Sequence, residues 1–242
     1  MKVTLHVALG GQMAMQAQLA TIANNVANMT TPGFRAAGSR FAALVSRQQP
    51  APISYVSAAR GYIDRRPGAL KQTGNPLDVA VRGDAWMALR GPGGIVYTRD
   101  GRLRMLPTGA LVSTTGLPVL DVGGSPIVLK PKAGPPRIAR DGMITQSSAR
   151  IGAIGLFRIP PGARLSRNGN SAVVPDREPQ PVVNFRNFGI MQGFVEESNV
   201  NGAIEMAHLI ETGSAFRQLS AALRETEHTA LEAIRALGGA SS

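Results

Sequence analysis

Two Glu-x-x-His spacings, Glu205-Met-Ala-His208 and Glu225-Thr-Glu-His228, are the residues whose types and separation best fit catalysis. On a helix, positions three apart share a face, and such motifs on facing helices are how carboxylate-rich di-iron bundles hold their metals. Here both motifs sit on one proline-free stretch, about 20 residues or roughly 30 Å apart along a helix, so they cannot share a metal unless that helix folds back. The further carboxylates such a site needs are missing, because residues 1–30 contain no Asp or Glu. Exposed or seam-flanking histidines are the ordinary explanation. There is no Gly-x-Ser-x-Gly and no cysteine, and His6 has no carboxylate near it in sequence. Gly91-Pro-Gly-Gly94 lacks the lysine and following helix of a phosphate loop and reads as a hairpin turn. The expectation is no catalytic residue, no cofactor and no metal.

The elements that carry these residues are legible from periodicity. Leu5, Ala8, Gln12, Met15, Leu19, Ile22 and Val26 alternate in steps of three and four, a heptad seam that is apolar except at Gln12. Gln16, Gln18, Asn24, Asn25 and Asn28 fall elsewhere. These amides either cap and solvate the helix or bond across a helix interface without the desolvation cost of charge. The absence of acids, with Lys2 the single Lys or Arg before Thr31, favours the second reading. Asn28, Thr30 and Thr31 weaken the helix, Pro32 forces its predecessor out of the α region, and Gly33 permits a positive φ, so the helix should stop there.

A second seam lies at the other end. From Glu197 to Leu237 there is no proline, and Leu209, Phe216, Leu223, Ala230 and Leu237 recur at sevens with Gly213 and Ile234 between them. This predicts a helix of about 40 residues, or roughly 60 Å. Ser198 or Asn199 should cap it, Glu196 and Glu197 should favour its dipole, and Gly213-Ser214 should disturb its straightness. Two seams at opposite termini should pair with each other or with neighbouring chains, which makes the middle an insertion.

After Phe34 the chain is helix-capable to about Arg47, anchored by Phe41, Leu44 and Val45, and becomes extended past Pro50 and Pro52. From Asn75 the period changes to two, with Leu77, Val79 and Val81 alternating against Asp78, Ala80 and Arg82. Turn pairs follow at Gly93-Gly94, Asp100-Gly101, Thr108-Gly109, Thr115-Gly116, Gly123-Gly124 and Asp141-Gly142, which predicts a meander of short antiparallel strands. The 28 Gly and 17 Pro against 1 Trp, 3 Tyr and 7 Phe also favour many turns over a helical globule. The predicted class is α+β: terminal helices pairing as a coiled-coil-like domain, an extended arm, and a mainly antiparallel β-domain inserted between them.

The net charge of +11 is uneven. Residues 31–75 hold seven Lys/Arg against one acid, whereas 197–242 hold three arginines against six glutamates, so the positive charge sits in the arm and the middle. No nucleic-acid module with stacking aromatics accompanies it, and a solvated or inter-subunit basic surface is the expectation. No segment approaches the roughly 20 apolar residues of a membrane span. Lys2, Val3–Leu9 and Ala14-Met-Gln-Ala17 imitate a secretory signal, but the heptad seam runs straight through the supposed cleavage site.

Three blocks give the chain a family likeness. Ile22-Ala-Asn-Asn-Val-Ala-Asn-Met-Thr-Thr-Pro-Gly-Phe34, then Gly74-Asn-Pro-Leu-Asp-Val-Ala-Val-Arg-Gly83 with Tyr97-Thr-Arg-Asp-Gly101, and Gly193-Phe-Val-Glu-Glu-Ser-Asn-Val-Asn201 resemble the bacterial flagellar rod and hook family, in the family's order and across nearly the whole chain. The modest length and Gly83-Asp-Ala-Trp86, where the family is usually rich in glycine and phenylalanine, resemble the proximal-rod members most and the distal-rod members next. The resemblance implies a structural subunit of the periplasmic rod, exported without cleavage by the flagellar type III apparatus. It also implies self and neighbouring proximal and distal rod subunits as partners, with no nucleic acid and no membrane insertion. The division it implies is 1–34 and 193–242 as the two parts of a helical rod-core domain, 35–75 as an arm, and 76–192 as the β-rich domain. The expected assembly interface is Leu5, Gln12, Met15, Leu19, Ile22, Asn24, Asn25, Val26 and Asn28 on the first helix, with Leu209, Phe216, Leu223 and Ile234 on the second. From a different class, a secreted β-domain adhesin or enzyme oligomerised by coiled-coil termini is the alternative.

Overall fold

The computed structural model describes residues 2–40, 43–46, 53–56 and 60–238. The chain is α+β, with helix α1 (Lys2–Ala27), helix α2 (Gly202–Gly238) and mainly antiparallel strands between them. It groups into two compact units, one of residues 1–26, 37–62 and 201–242, the other of residues 27–36 and 63–200.

In the helical unit, burial along α1 follows the seam. Ile22 is buried and Gln12, Met15, Leu19 and Val26 are half-buried, whereas Met13, Gln16, Ala17, Ala20 and Ala23 are exposed. Facing positions on α2 are the buried Thr212 and the half-buried Phe216, Leu219 and Leu223. Gln12 Nε2 donates to Ser220 Oγ at 3.3 Å and Asn25 Nδ2 donates to Glu205 Oε1 at 3.2 Å. Rising numbers on α1 therefore meet falling numbers on α2, so the two helices run antiparallel. The stop after Ala27 has the expected chemistry: Thr31 N–H donates to Asn28 O at 3.0 Å, and Gly33 takes φ 69°.

Two expectations about these helices need correction. Helix α2 begins at Gly202, and its cap is Asn201, whose Oδ1 accepts from Ala203 N–H at 3.1 Å and Ile204 N–H at 3.2 Å. Ser198, Asn199, Glu196 and Glu197 precede it, and Glu196 ends a strand, Phe194–Glu196. As expected, α2 continues through Gly213-Ser214, because one glycine costs only about 1 kcal/mol in a helix this long. The described residues between Phe34 and Arg47 are not helical. Ala37–Arg40 is a strand beside Arg60–Ile63, and Ala43–Ser46 pairs antiparallel with Ile53–Val56. Asn25 supplies the reason: its Oδ1 accepts from Ala37 N–H at 2.9 Å and its Nδ2 donates to Ala37 O at 2.8 Å, gripping both backbone groups as a neighbouring strand would. Phe41 lies outside the described residues.

In the β-unit a six-stranded antiparallel sheet runs in the order Leu165–Asn168, Ala172–Pro175, Gly94–Thr98, Trp86–Gly91, Leu156–Arg158 and Gln180–Pro181. The Trp86–Gly91 strand is buried on both faces, so it reads as nearly continuous apolar sequence. Met87 and Leu89 point into a core with Val79, Val81, Leu111, Ile144 and Leu156, while Trp86 and Ala88 join a second cluster with Tyr97, Leu120, Phe157 and Val173.

The Gly93-Gly94 and Thr108-Gly109 turns close hairpins as expected, with Gly91 paired to Gly94 and Leu111 to Met105. Asp100-Gly101 does not. Gly101 is there because a Cβ would stand 1.6 Å from Val79 O, and its own carbonyl accepts from Val79 N–H at 2.9 Å. After the strand Leu111–Ser113 and as far as Leu129, the chain makes isolated bridges, such as Val112 with Pro118 and Leu120 with Pro126, in place of a regular meander.

Candidate assembly interface and the charge cluster beside it

The expected interface residues occupy different environments. Asn25 is 1 % exposed and fully engaged with Ala37 and Glu205, so this amide works inside the chain. Asn28 is buried and its Oδ1 accepts from Thr31 Oγ1 at 3.2 Å, while Asn24 is exposed. Phe216 and Leu223 are half-buried and Leu209 is exposed. The side chains of Leu5 and Ile234 lie outside the described residues. Other apolar side chains stand in the open: Met13 at 64 % and Leu9 at 51 % on α1, and Ile210 at 70 % on α2, with Ile204 and Met206 close by.

The histidine motifs do not come together. Glu205 is taken by Asn25, His208 is exposed, and the exposed His228 has Glu232 Oε1 at 3.7 Å from its Nδ1, one helical turn on. Among the described residues, no group of three or more His, Cys, Asp or Glu could hold a metal ion.

The densest polar arrangement is in the β-unit, and the sequence reading assigned its members to other roles. Glu196, fully buried, receives Arg35 Nη1 at Oε1 and Arg99 Nη2 at Oε2, each at 2.5 Å. Arg99 Nε also donates to Glu196 Oε2 at 2.7 Å, and its guanidinium reaches the carbonyls of Gly83, Ala85 and Val81 at 2.6, 2.6 and 2.7 Å. Gly68 N–H donates to Glu196 Oε1 at 2.9 Å. Both guanidiniums lie against the ring of the buried Trp86, at 5.8 Å for Arg35 and 6.0 Å for Arg99.

The cluster holds two cations to one anion. Desolvation lowers the pKa of Arg35, attraction to Glu196 opposes that, and repulsion from Arg99 adds to it. Asp64 softens the excess charge. Burial pushes its carboxyl up, but hydrogen bonds from the Arg66 side chain and backbone N–H, with attraction to Arg66 and Arg35, outweigh burial and hold it below its ordinary value. Beside the cluster, the guanidinium of Arg167 covers the buried Phe34 ring at 4.2 Å and donates to Arg35 O at 2.6 Å.

Arg35, Trp86, Arg99 and Glu196 were therefore missed as a site. Arg65 also departs from the expected solvent or neighbour role of the arm's basic residues, because it donates to the carbonyls of Ile159, Pro160 and Ala163 at 3.2, 3.0 and 2.9 Å. One signal was available. Phe34-Arg35, Thr98-Arg99 and Val195-Glu196 lie in or directly beside the three resemblance blocks, and a charge inside an apolar strand needs a partner when buried.

Comparison with known proteins gives one answer along the chain. Family models described as flagella basal body rod protein, flagellar hook protein FlgE/F/G D1 domain and flagellar basal body rod FlgEFG protein C-terminal match residues 5–35, 80–146 and 191–232. The flagellar basal-body rod protein FlgF of Mesorhizobium japonicum is 47 % identical, with 100 % of both chains covered. The FlgF of Rhizobium meliloti is 43 % identical over 99 % of both, and that of Caulobacter vibrioides 32 % over 97 % of both. Relatives named FlgG align at lower identity. With full-length identity to rod proteins and family matches at both ends and in the middle, this chain belongs to the flagellar basal-body rod protein family.

Proposed function

We propose that this structural subunit of the flagellar basal body serves in the proximal rod, assembling through its terminal helices into a helical drive shaft. The kinship to rod proteins makes it a structural component and not an enzyme, and leaves the secreted adhesin or enzyme alternative without support. Its mechanism is packing. The observation that carries this reading is the open apolar surface on both helices, Leu9 and Met13 on α1 with Ile204, Met206 and Ile210 on α2. Helices with such faces gain roughly 25 cal/mol per Å² of apolar surface when neighbours cover them.

In this reading the helices pair in a coiled-coil-like manner, with residues 1–34 and 193–242 as the rod core, 35–75 as the arm bridging neighbours and 76–192 as the β-domain inserted between the two helical parts. The partners are further copies and adjoining proximal and distal rod subunits. Export uses the flagellar type III apparatus without a cleaved signal, placing the rod in the periplasm with no nucleic acid and no membrane insertion. No helix among the described residues is long and apolar enough to cross a membrane. Purification of basal bodies from a strain carrying a tagged full chain tests the proposal: the tag should copurify with the rod. Its absence from intact basal bodies, with the chain exported, would overturn it.

A further inference from the structure

We infer that Asn199 is the positioning residue that fixes where the chain leaves the β-unit, a role that rests on the rod reading and adds a specific joint to it. The chain passes between the two units at 26/27, 36/37, 62/63 and 200/201. Three of these four exits are gathered by one side chain. Asn199 Oδ1 accepts from Ala36 N–H at 2.7 Å, and its Nδ2 donates to Asp64 O at 3.3 Å and Arg66 O at 2.8 Å. Its backbone N–H donates to Phe34 O at 3.3 Å, and Asp64 N–H donates to Ala36 O at 2.8 Å.

Helix initiation does not account for this amide, because Asn201 caps α2. The chemistry required is narrow: one acceptor and two donors on a short planar group. Aspartate would keep the acceptor but set a carboxylate oxygen against two carbonyl oxygens, and serine would reach too few partners. The Glu196 cluster anchors the same segments from beneath, since Gly33 N–H donates to Glu196 O and Glu197 N–H to Ala69 O, each at 2.8 Å. Glu196 therefore holds the segments to the β-unit, and Asn199 holds the exits to one another. Within the β-unit, Asn199 thus fixes the mutual placement of the three segments that lead out of it.

The test uses the full chain as parent, Asn199→Ala and Asn199→Asp, with Asn201→Ala as a cap-only control. Three quantities are read: amide hydrogen exchange of Ala36 and Asp64, melting of the β-unit, and swimming in a viscous medium by a strain lacking its own copy. Asn199→Ala should speed exchange at Ala36 about tenfold, the size expected for one lost hydrogen bond, and Asn199→Asp, which keeps that acceptor but sets a carboxylate oxygen against the carbonyls of Asp64 and Arg66, should speed exchange at Asp64 as its segment is pushed away. Melting of the β-unit should stay cooperative and drop only modestly, while swimming should fall. The Asn201 variant should leave those two amides unchanged. Parent-like exchange in both Asn199 variants, or swimming equal to the parent despite faster exchange, would overturn the inference. A parent chain that exchanges normally but never enters the basal body would instead overturn the rod reading, and the exchange data would still decide what Asn199 holds.

Discussion

Glu196 is the residue on which most of the β-unit's buried charge depends. It is fully buried, and without it two guanidiniums against Trp86 would have no counter-ion within contact. Removing one partner of a buried pair leaves the other desolvated and uncompensated, at a cost of about 3–5 kcal/mol. Glu196→Gln keeps the shape and removes the charge, so the β-unit should melt with a loss of that order in a denaturant titration. A loss under about 1 kcal/mol would mean that the carbonyls of Gly83, Ala85 and Val81 suffice for the guanidinium. Asp64 gives a pH dependence of known sign. Its folded pKa is depressed, so its contribution is present above the unfolded value of about 4 and disappears as the pH falls through the folded value. The stability difference between parent and Asp64→Asn should therefore be full at neutral pH and vanish in strong acid. A difference that grows on acidification would reverse the assignment.

At the scale of elements, Asn25 joins three of them with three hydrogen bonds, two to the strand at Ala37 and one to α2 at Glu205. Asn25→Ala should cost about 1–3 kcal/mol locally and speed exchange of the Ala37 amide, with no change at Val79 in the β-unit. Unchanged exchange at Ala37 would show that the strand forms without the amide. This residue also marks how far sequence reading extends. The end of α1 was legible because Pro32 and Gly33 act on their own backbone neighbours, and the Gly93-Gly94 hairpin was legible for the same reason. The strand at Ala37–Arg40 was not, because a side chain 12 residues earlier in sequence dictates its backbone conformation. Glu196 looked like a dipole partner for a helix that in fact starts at Gly202, and its true partners, Arg35 and Arg99, are remote in sequence. Gly101 looked like a turn glycine, whereas it serves the close approach of Val79. Local chemistry is written locally, and pairings across the fold are not.

For the whole molecule, the question is which faces of the helices the assembled rod covers. Met13 is 64 % exposed and points away from the half-buried seam of Gln12, Met15 and Leu19. Within the single chain, Met13→Asp removes little packing, so its effect on monomer stability should stay within about 0.5 kcal/mol. In a rod whose subunits cover that face, the same substitution buries a carboxylate without a partner, costing several kcal/mol at every copy. Leu19→Asp behaves differently: Leu19 is half-buried in the chain itself, so the monomer's helical unit and the assembly should both weaken. The contrast between the two variants separates packing within a subunit from packing between subunits. The measurement is circular-dichroism melting of the purified chains beside incorporation of the same chains into basal bodies, with export checked first because both substitutions lie in the amino-terminal region that the proposed export route reads. Met13→Asp should melt like the parent and fail to incorporate. Normal incorporation of an exported Met13→Asp chain would leave this face of α1 outside the rod's contacts and shift the interface to the α2 surface of Ile204, Met206 and Ile210.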